Sequence, residues 1–76
     1  MKWIFHGTNA ILLDNGLVSG TYFTDDLEIA IKYGKTIYAI DSDRYIGAFS
    51  INCEGYYVSR FYIDITHFII LRSDEK

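Results

Sequence analysis

The sequence predicts a small α+β domain, in which one main helix and one short helical turn pack on a small, mostly antiparallel, split sheet of five or six short strands. The chain has 76 residues, which we interpret as a single minimal domain spanning residues 1–76. One segment has apolar residues at helical spacing, and several short runs are rich in β-branched and aromatic residues. Half of the residues are hydrophobic and 17% are aromatic, so large rings are expected to fill a thin core.

Short strands and turns are predicted for the first part of the chain. Residues 2–5 are expected to form a strand that stops at His6 and Gly7, and residues 21–24 a second strand. Asn9 is expected to cap a helical turn that reaches Leu13, and the Asn-Gly pair at 15–16 is expected to end it with a positive φ.

The main helix is expected to start after the aspartates at 25–26, which combine a capping side chain with negative charge at the helix N-terminus. Leu27, Ala30 and Ile31 form its apolar face, and Gly34 is expected to end it. Further strands are predicted at 36–40, 45–52, 56–63 and 66–71, with breaks at Gly55 and Asp64.

Composition and charge argue against several classes of function. The chain has 7 basic and 10 acidic residues and a net charge of −3, so non-specific nucleic-acid binding is not expected. Its single cysteine, Cys53, cannot form an internal disulfide, and no metal site is expected. No apolar run approaches the roughly 20 residues of a membrane helix, and no signal peptide is visible. We therefore expect a soluble, cytoplasmic protein without membrane contact.

Four residues could carry chemistry, although each has an ordinary structural interpretation. His6 beside Gly7 offers an imidazole and an accessible backbone, but it could equally be structural. Tyr22 and Tyr33 lie on a strand and on the end of the following helix, so they could enclose a planar group or simply belong to the core. Glu54 could act as a base or bind a ribose hydroxyl, or it could be a solvated turn residue.

The order of these segments resembles the ADP-ribosyltransferase superfamily, in particular its poly(ADP-ribose)-polymerase-like, diphtheria-toxin-type branch. The resemblance covers residues 4–40 and, more weakly, 54–71. It is carried by the segments FHGT, GL, GTYFTDD and AIKYG in that order, and by the spacing between the tyrosine of Gly-x-Tyr-Phe and the tyrosine that closes the helix.

The resemblance implies an NAD site. His6 would hydrogen-bond the ribose next to nicotinamide, the backbone of Gly7 would bind the carboxamide, and Thr8 would help to hold the ribose. Tyr22 and Tyr33 would stack on the nicotinamide ring. In catalytic members a Glu on a late strand polarises the ribose hydroxyl and stabilises the transition state as nicotinamide leaves.

The position of that Glu is where this chain departs from the family. The best alignment of the segment YYVSRFYIDITHFIIL places Tyr56 there, and Glu54 lies two residues earlier. Glu54 could reach the same site from one pleat away, or a bulge at Gly55 could shift it. The family's hydroxyl residue three positions before the helix tyrosine is Ala30, and the segments flanking the motif tyrosine are strongly shortened.

Two functions follow. The first is a trimmed, protein-binding or inhibitory module that keeps a residual NAD or nicotinamide pocket, as would suit a compact phage genome. The alternative is an active mono-ADP-ribosyltransferase with His6 and Glu54 as catalytic residues. A third interpretation is that the chain is a structural module whose likeness to the family motif is coincidental.

A protein partner or a homodimer is expected because the second half has more aromatic residues than one helix can cover: Tyr45, Phe49, Tyr57, Phe61 and Tyr62.

Overall fold

The structure, a computed structural model, describes residues 1–9 and 15–72. Over these residues the chain is a small α+β domain with one α-helix and antiparallel strands in three small sheets. The helix, α1, is Leu27–Tyr33. The strands are β1 Trp3–Thr8, β2 Gly16–Leu17, β3 Tyr22–Phe23, β4 Thr36–Asp41, β5 Phe49–Ile51, β6 Tyr57–Ser59, β7 Ile63–Asp64 and β8 Ile69–Arg72. The helical turn expected up to Leu13 falls on residues 10–14, outside the described residues.

The sheets have the strand orders β1-β4-β8, β2-β7 and β3-β6-β5. The described residues thus contain eight strands, more than the five or six predicted, because β2 was not predicted and one run of the second half is divided in two. The run 45–52 is a strand only over Phe49–Ile51, and the run 56–63 divides into β6 and β7. A 3-10 turn, Ile65–His67, capped by the Asp64 side chain, precedes β8. The predicted breaks at Gly55 and Asp64 are confirmed.

Strand β1 continues through His6 and Gly7, where the sequence had predicted its end. Pairing with β4 extends from Trp3 opposite Asp41 to Thr8 opposite Thr36. Glycine is required at position 7 because a Cβ there would collide with the backbone carbonyl of Ala30. The glycine therefore lets α1 pack closely on β1 instead of ending the strand.

The ends of α1 follow the sequence prediction in part. The Asp26 side chain accepts a hydrogen bond from the backbone N–H of Glu28 at 3.0 Å, which caps the first turn. Gly34 follows the last helical residue, but its φ of 170° is extended and not left-handed. Its role is steric, since a Cβ at Gly34 would occupy the space of the Thr8 and Asn9 backbone.

The core lies where the sheets meet and centres on Phe23. The Phe23 ring is stacked on Phe68 with centroids 6.0 Å apart, and packs edge-on against Phe49 at 5.3 Å. The β1-β4-β8 and β3-β6-β5 sheets are also joined through the backbone, because Phe5 and Thr24 exchange two hydrogen bonds of 2.7 and 2.9 Å. This junction forms the floor of the pocket described below. Among the described residues, no helix is long and apolar enough to cross a membrane.

Candidate functional site

A pocket of about 310 Å³ opens between β1, β3, α1 and the turn that joins β5 to β6. Five of the six residues that the sequence singled out line it: His6, Gly7, Tyr22, Tyr33 and Glu54. The remaining lining residues are Phe5, Phe23, Thr24, Ala30 and Tyr56. The sixth, Thr8, is not among them; it lies at the end of β1 opposite Thr36.

His6 is held in one orientation by the backbone of β3. Its Nδ1 lies 2.8 Å from the Tyr22 carbonyl oxygen. A carbonyl can only accept, so Nδ1 carries the proton in that hydrogen bond, and the neutral imidazole keeps Nε2 as an acceptor. The ring also packs against Phe23, with centroids 5.6 Å apart. Together these contacts fix a hydrogen-bond acceptor that suits a ligand hydroxyl.

Gly7 presents backbone at the edge of β1. Successive residues of an antiparallel strand direct their N–H and C=O groups to opposite sides. Those of Phe5 point to Thr24 on β3, so those of Gly7 point to the same side, away from β4. A donor and an acceptor on one residue match the two halves of a carboxamide group.

Tyr22 and Tyr33 enter the pocket from different elements. Tyr22 is on β3 and Tyr33 is the last residue of α1, and their exposed fractions are 53% and 63%. This exposure distinguishes them from the buried core aromatics Phe23 and Tyr38. Both rings therefore have surface open to a ligand, and their stacking on a planar group stays a prediction.

Glu54 and Tyr56 belong to a tight turn and not to a continuous strand. The Asn52 side-chain oxygen accepts hydrogen bonds from the backbone N–H groups of Glu54 at 2.9 Å and Tyr56 at 3.0 Å. Gly55 between them has a φ of +89°, which favours glycine. No bulge is needed to bring Glu54 to the pocket, because the turn itself does so.

Tyr56 contacts both tyrosines of the pocket. A hydrogen bond with the Tyr33 phenol raises the pKa of Tyr56, and the nearby Glu54 carboxylate raises the pKa further by repelling the phenolate. The Tyr56 ring lies 6.2 Å from the Tyr22 ring, tilted by 56°. The residue at the expected position of the family's Glu is thus a neutral phenol that joins the β5–β6 turn to α1.

Sequence reasoning did not assign roles to Asn52 or to the Tyr56 ring. Asn52 could have been found, because an Asn that precedes a Gly by a few residues often bonds its own turn through the side chain. The contact between Tyr56 and Tyr33 joins residues that are far apart in sequence, and no local pattern predicts it.

Several other side chains lie outside the pocket. His67, in the run 66–71 that was predicted as a strand, is exposed in the 3-10 turn before β8, and its Nδ1 lies 3.0 Å from the Tyr45 hydroxyl oxygen. Among residues 1–9 and 15–72, no group of three or more His, Cys, Asp and Glu residues is placed to hold a metal ion. Of the five aromatic residues expected to form a partner surface, Tyr45, Phe49 and Tyr57 pack against the core. Phe61 and Tyr62 remain exposed.

Comparisons of the chain with protein-family models, with curated proteins and with solved structures found no match.

Proposed function

We propose that the pocket binds a planar ring that carries a carboxamide, such as nicotinamide or the nicotinamide end of NAD. The observation that supports this most directly is the convergence of His6, Gly7, Tyr22, Tyr33 and Glu54 on one pocket. In this arrangement the ring lies between Tyr22 and Tyr33, and the carboxamide pairs with the Gly7 backbone. His6 Nε2 then accepts from a hydroxyl on the ring substituent.

The proposed activity is binding without transfer of ADP-ribose. Tyr56 occupies the position at which the resemblance expects a Glu, and interaction with Tyr33 raises the pKa of its phenol. A phenol of raised pKa stays protonated near neutral pH and does not provide the negative charge that would stabilise a developing oxocarbenium ion. A protein partner or a second copy of the chain would use a different surface, around the exposed Phe61 and Tyr62.

Titration of isotope-labelled protein with nicotinamide and with NAD, followed by NMR, tests the proposal. We expect shifts at Gly7 and at the tyrosines of the pocket. Tyr22→Ala and Tyr33→Ala should each weaken binding about fivefold, because each removes one stacking ring worth about 1 kcal/mol. Phe61→Ala removes an exposed aromatic ring outside the pocket and serves as the control. An absence of shifts at every lining residue with both ligands would contradict the proposal.

An active mono-ADP-ribosyltransferase remains the second candidate, because Glu54 lines the same pocket as His6. This alternative requires that the protein release nicotinamide from labelled NAD and that Glu54→Gln abolish the release. If the wild-type protein releases none, or if Glu54→Gln releases as much as wild type, Glu54 is not a catalytic residue.

A further inference from the structure

The charge distribution of the pocket is one-sided. Among the ten described residues that line it, Glu54 is the only Asp, Glu, Lys or Arg. Of the charged side chains of α1, Glu28 lies in the first turn and Lys32 in the last turn, and neither lines the pocket. A ligand in the pocket therefore meets a carboxylate and no side-chain cation from the lining residues, which favours a positive ligand and opposes phosphate.

Aromatic rings form the other feature of the pocket that bears on charge. Tyr22, Tyr33 and Tyr56 all line the pocket, and the Tyr22 and Tyr56 rings lie 6.2 Å apart with a tilt of 56°. The face of an aromatic ring carries negative electrostatic potential and attracts a cation within about 6 Å of its centroid. Aromatic cages that bind partly dehydrated cations are built from such groups, and this pocket has three phenols beside one carboxylate.

The size of the pocket limits what such a ligand can be. Its volume of about 310 Å³ lies at the small end of the range for ligand pockets, about 300–1,000 Å³. One ring with its substituent fits this space better than a whole dinucleotide.

We infer that the pocket selects a positively charged ring, an N-substituted pyridinium carboxamide without phosphate, over the same ring in neutral form. This inference rests on the proposed function, since it assumes that the ring lies between Tyr22 and Tyr33. It adds a charge preference, for which Glu54 and the ring faces are responsible. Glu54 is thereby a specificity-determining residue that attracts the ring charge, whether or not any bond of the ligand is broken.

The test compares two ligands that share ring and carboxamide and differ in charge: nicotinamide, which is neutral, and 1-methylnicotinamide, which is a cation. NMR titration of the full chain should give a dissociation constant at least tenfold lower for the cation. Glu54→Gln should reduce this ratio at least threefold, because it removes the carboxylate and keeps the turn. Glu28→Gln, an exposed acidic residue of α1 that does not line the pocket, should leave the ratio unchanged.

The outcomes separate the two proposals. Equal affinity for both ligands, tighter binding of the neutral ring, or a ratio that Glu54→Gln does not change overturns the charge preference and leaves ring binding intact. Binding of neither ligand overturns the proposed function as well. Nicotinamide riboside and its 5′-phosphate are compared in the same titration. Affinities within twofold of each other support the inference. A tenfold or greater gain in affinity from the phosphate overturns the claim that the preferred ligand carries no phosphate.

Discussion

His6 and Tyr56 show how single side chains in the pocket are set by contacts made elsewhere in the fold. His6 has its Nδ1 proton committed to the Tyr22 carbonyl, so the imidazole cannot turn without breaking that bond. Tyr56 has its backbone N–H bonded to the Asn52 side-chain oxygen at 3.0 Å. Both residues are therefore positioned before a ligand arrives, which lowers the entropy cost of binding.

The contact between Tyr33 and Tyr56 can be tested through the pKa of Tyr56. In Tyr33→Phe the hydrogen bond is lost, and we expect the pKa of Tyr56 to fall toward the ordinary phenol value of about 10. An alkaline titration of ring-labelled tyrosines by NMR measures the change. Tyr22→Phe is the matched control, because the Tyr22 ring also contacts Tyr56 but is not among the groups that raise its pKa. An unchanged Tyr56 pKa in Tyr33→Phe would show that the contact does not form.

The same contact has a consequence for alkaline stability. Because folding raises the pKa of Tyr56, the folded state holds this proton more tightly than the unfolded state does. The resulting stabilisation is complete below the unfolded pKa and is lost as pH rises through the folded pKa. The unfolding free energy of the wild type should therefore decrease more steeply with alkaline pH than that of Tyr33→Phe.

At the scale of elements, the turn between β5 and β6 depends on one side chain. Asn52 accepts both hydrogen bonds that hold Glu54 and Tyr56, so its loss releases two lining residues together. We expect Asn52→Ala to lower ligand affinity about tenfold and the unfolding free energy by about 1 kcal/mol. NMR titration and urea unfolding measure the two effects.

Asn52→Asp provides the control for this turn, because it keeps a side-chain oxygen at the same position. We expect it to restore most of the lost stability. Wild-type ligand affinity in Asn52→Ala would mean that the pocket does not need Glu54 and Tyr56 in their present positions.

The elements also show which features the sequence could predict. The cap at Asp26, the helix up to Tyr33 and the strand that follows were predictable because each depends on neighbours in the sequence. The extension of β1 through Gly7 was not, because it depends on pairing with β4, a later element. The division of the run 56–63 into β6 and β7 was missed because its apolar patterning does not show the interruption between Ser59 and Ile63.

The residues of the candidate site were also predictable only in part. Its five predicted lining residues were identified from motif order, which reflects how β1, β3 and α1 succeed each other in the chain. Thr8 was expected there and lies outside the lining, since it sits one residue beyond Gly7 and its backbone groups face β4 by strand alternation. The roles of these residues stay predictions until binding is measured.

At the scale of the whole molecule, stability depends on a few large side chains. A 76-residue domain is expected to be stable by about 4–11 kcal/mol. Phe23 is 1% exposed and its ring contacts Phe49, Phe68 and His6, which come from separate strands and loops. We expect Phe23→Ala to lower the unfolding free energy by about 3–5 kcal/mol, measured by urea unfolding.

Phe61→Ala is the comparison for this prediction, because Phe61 is 55% exposed. It should change stability by no more than about 0.5 kcal/mol. If Phe23→Ala is as stable as Phe61→Ala, the core does not centre where the three sheets meet.

The pocket lies between two separately hydrogen-bonded sheets. The β1-β4-β8 sheet and α1 supply His6 and Tyr33, and the β3-β6-β5 sheet supplies Tyr22. The backbone pair of Phe5 and Thr24 bridges these two sheets with two hydrogen bonds. The shape of the pocket therefore depends on this bridge, and a substitution that breaks it would alter the pocket while leaving the pairing within each sheet in place.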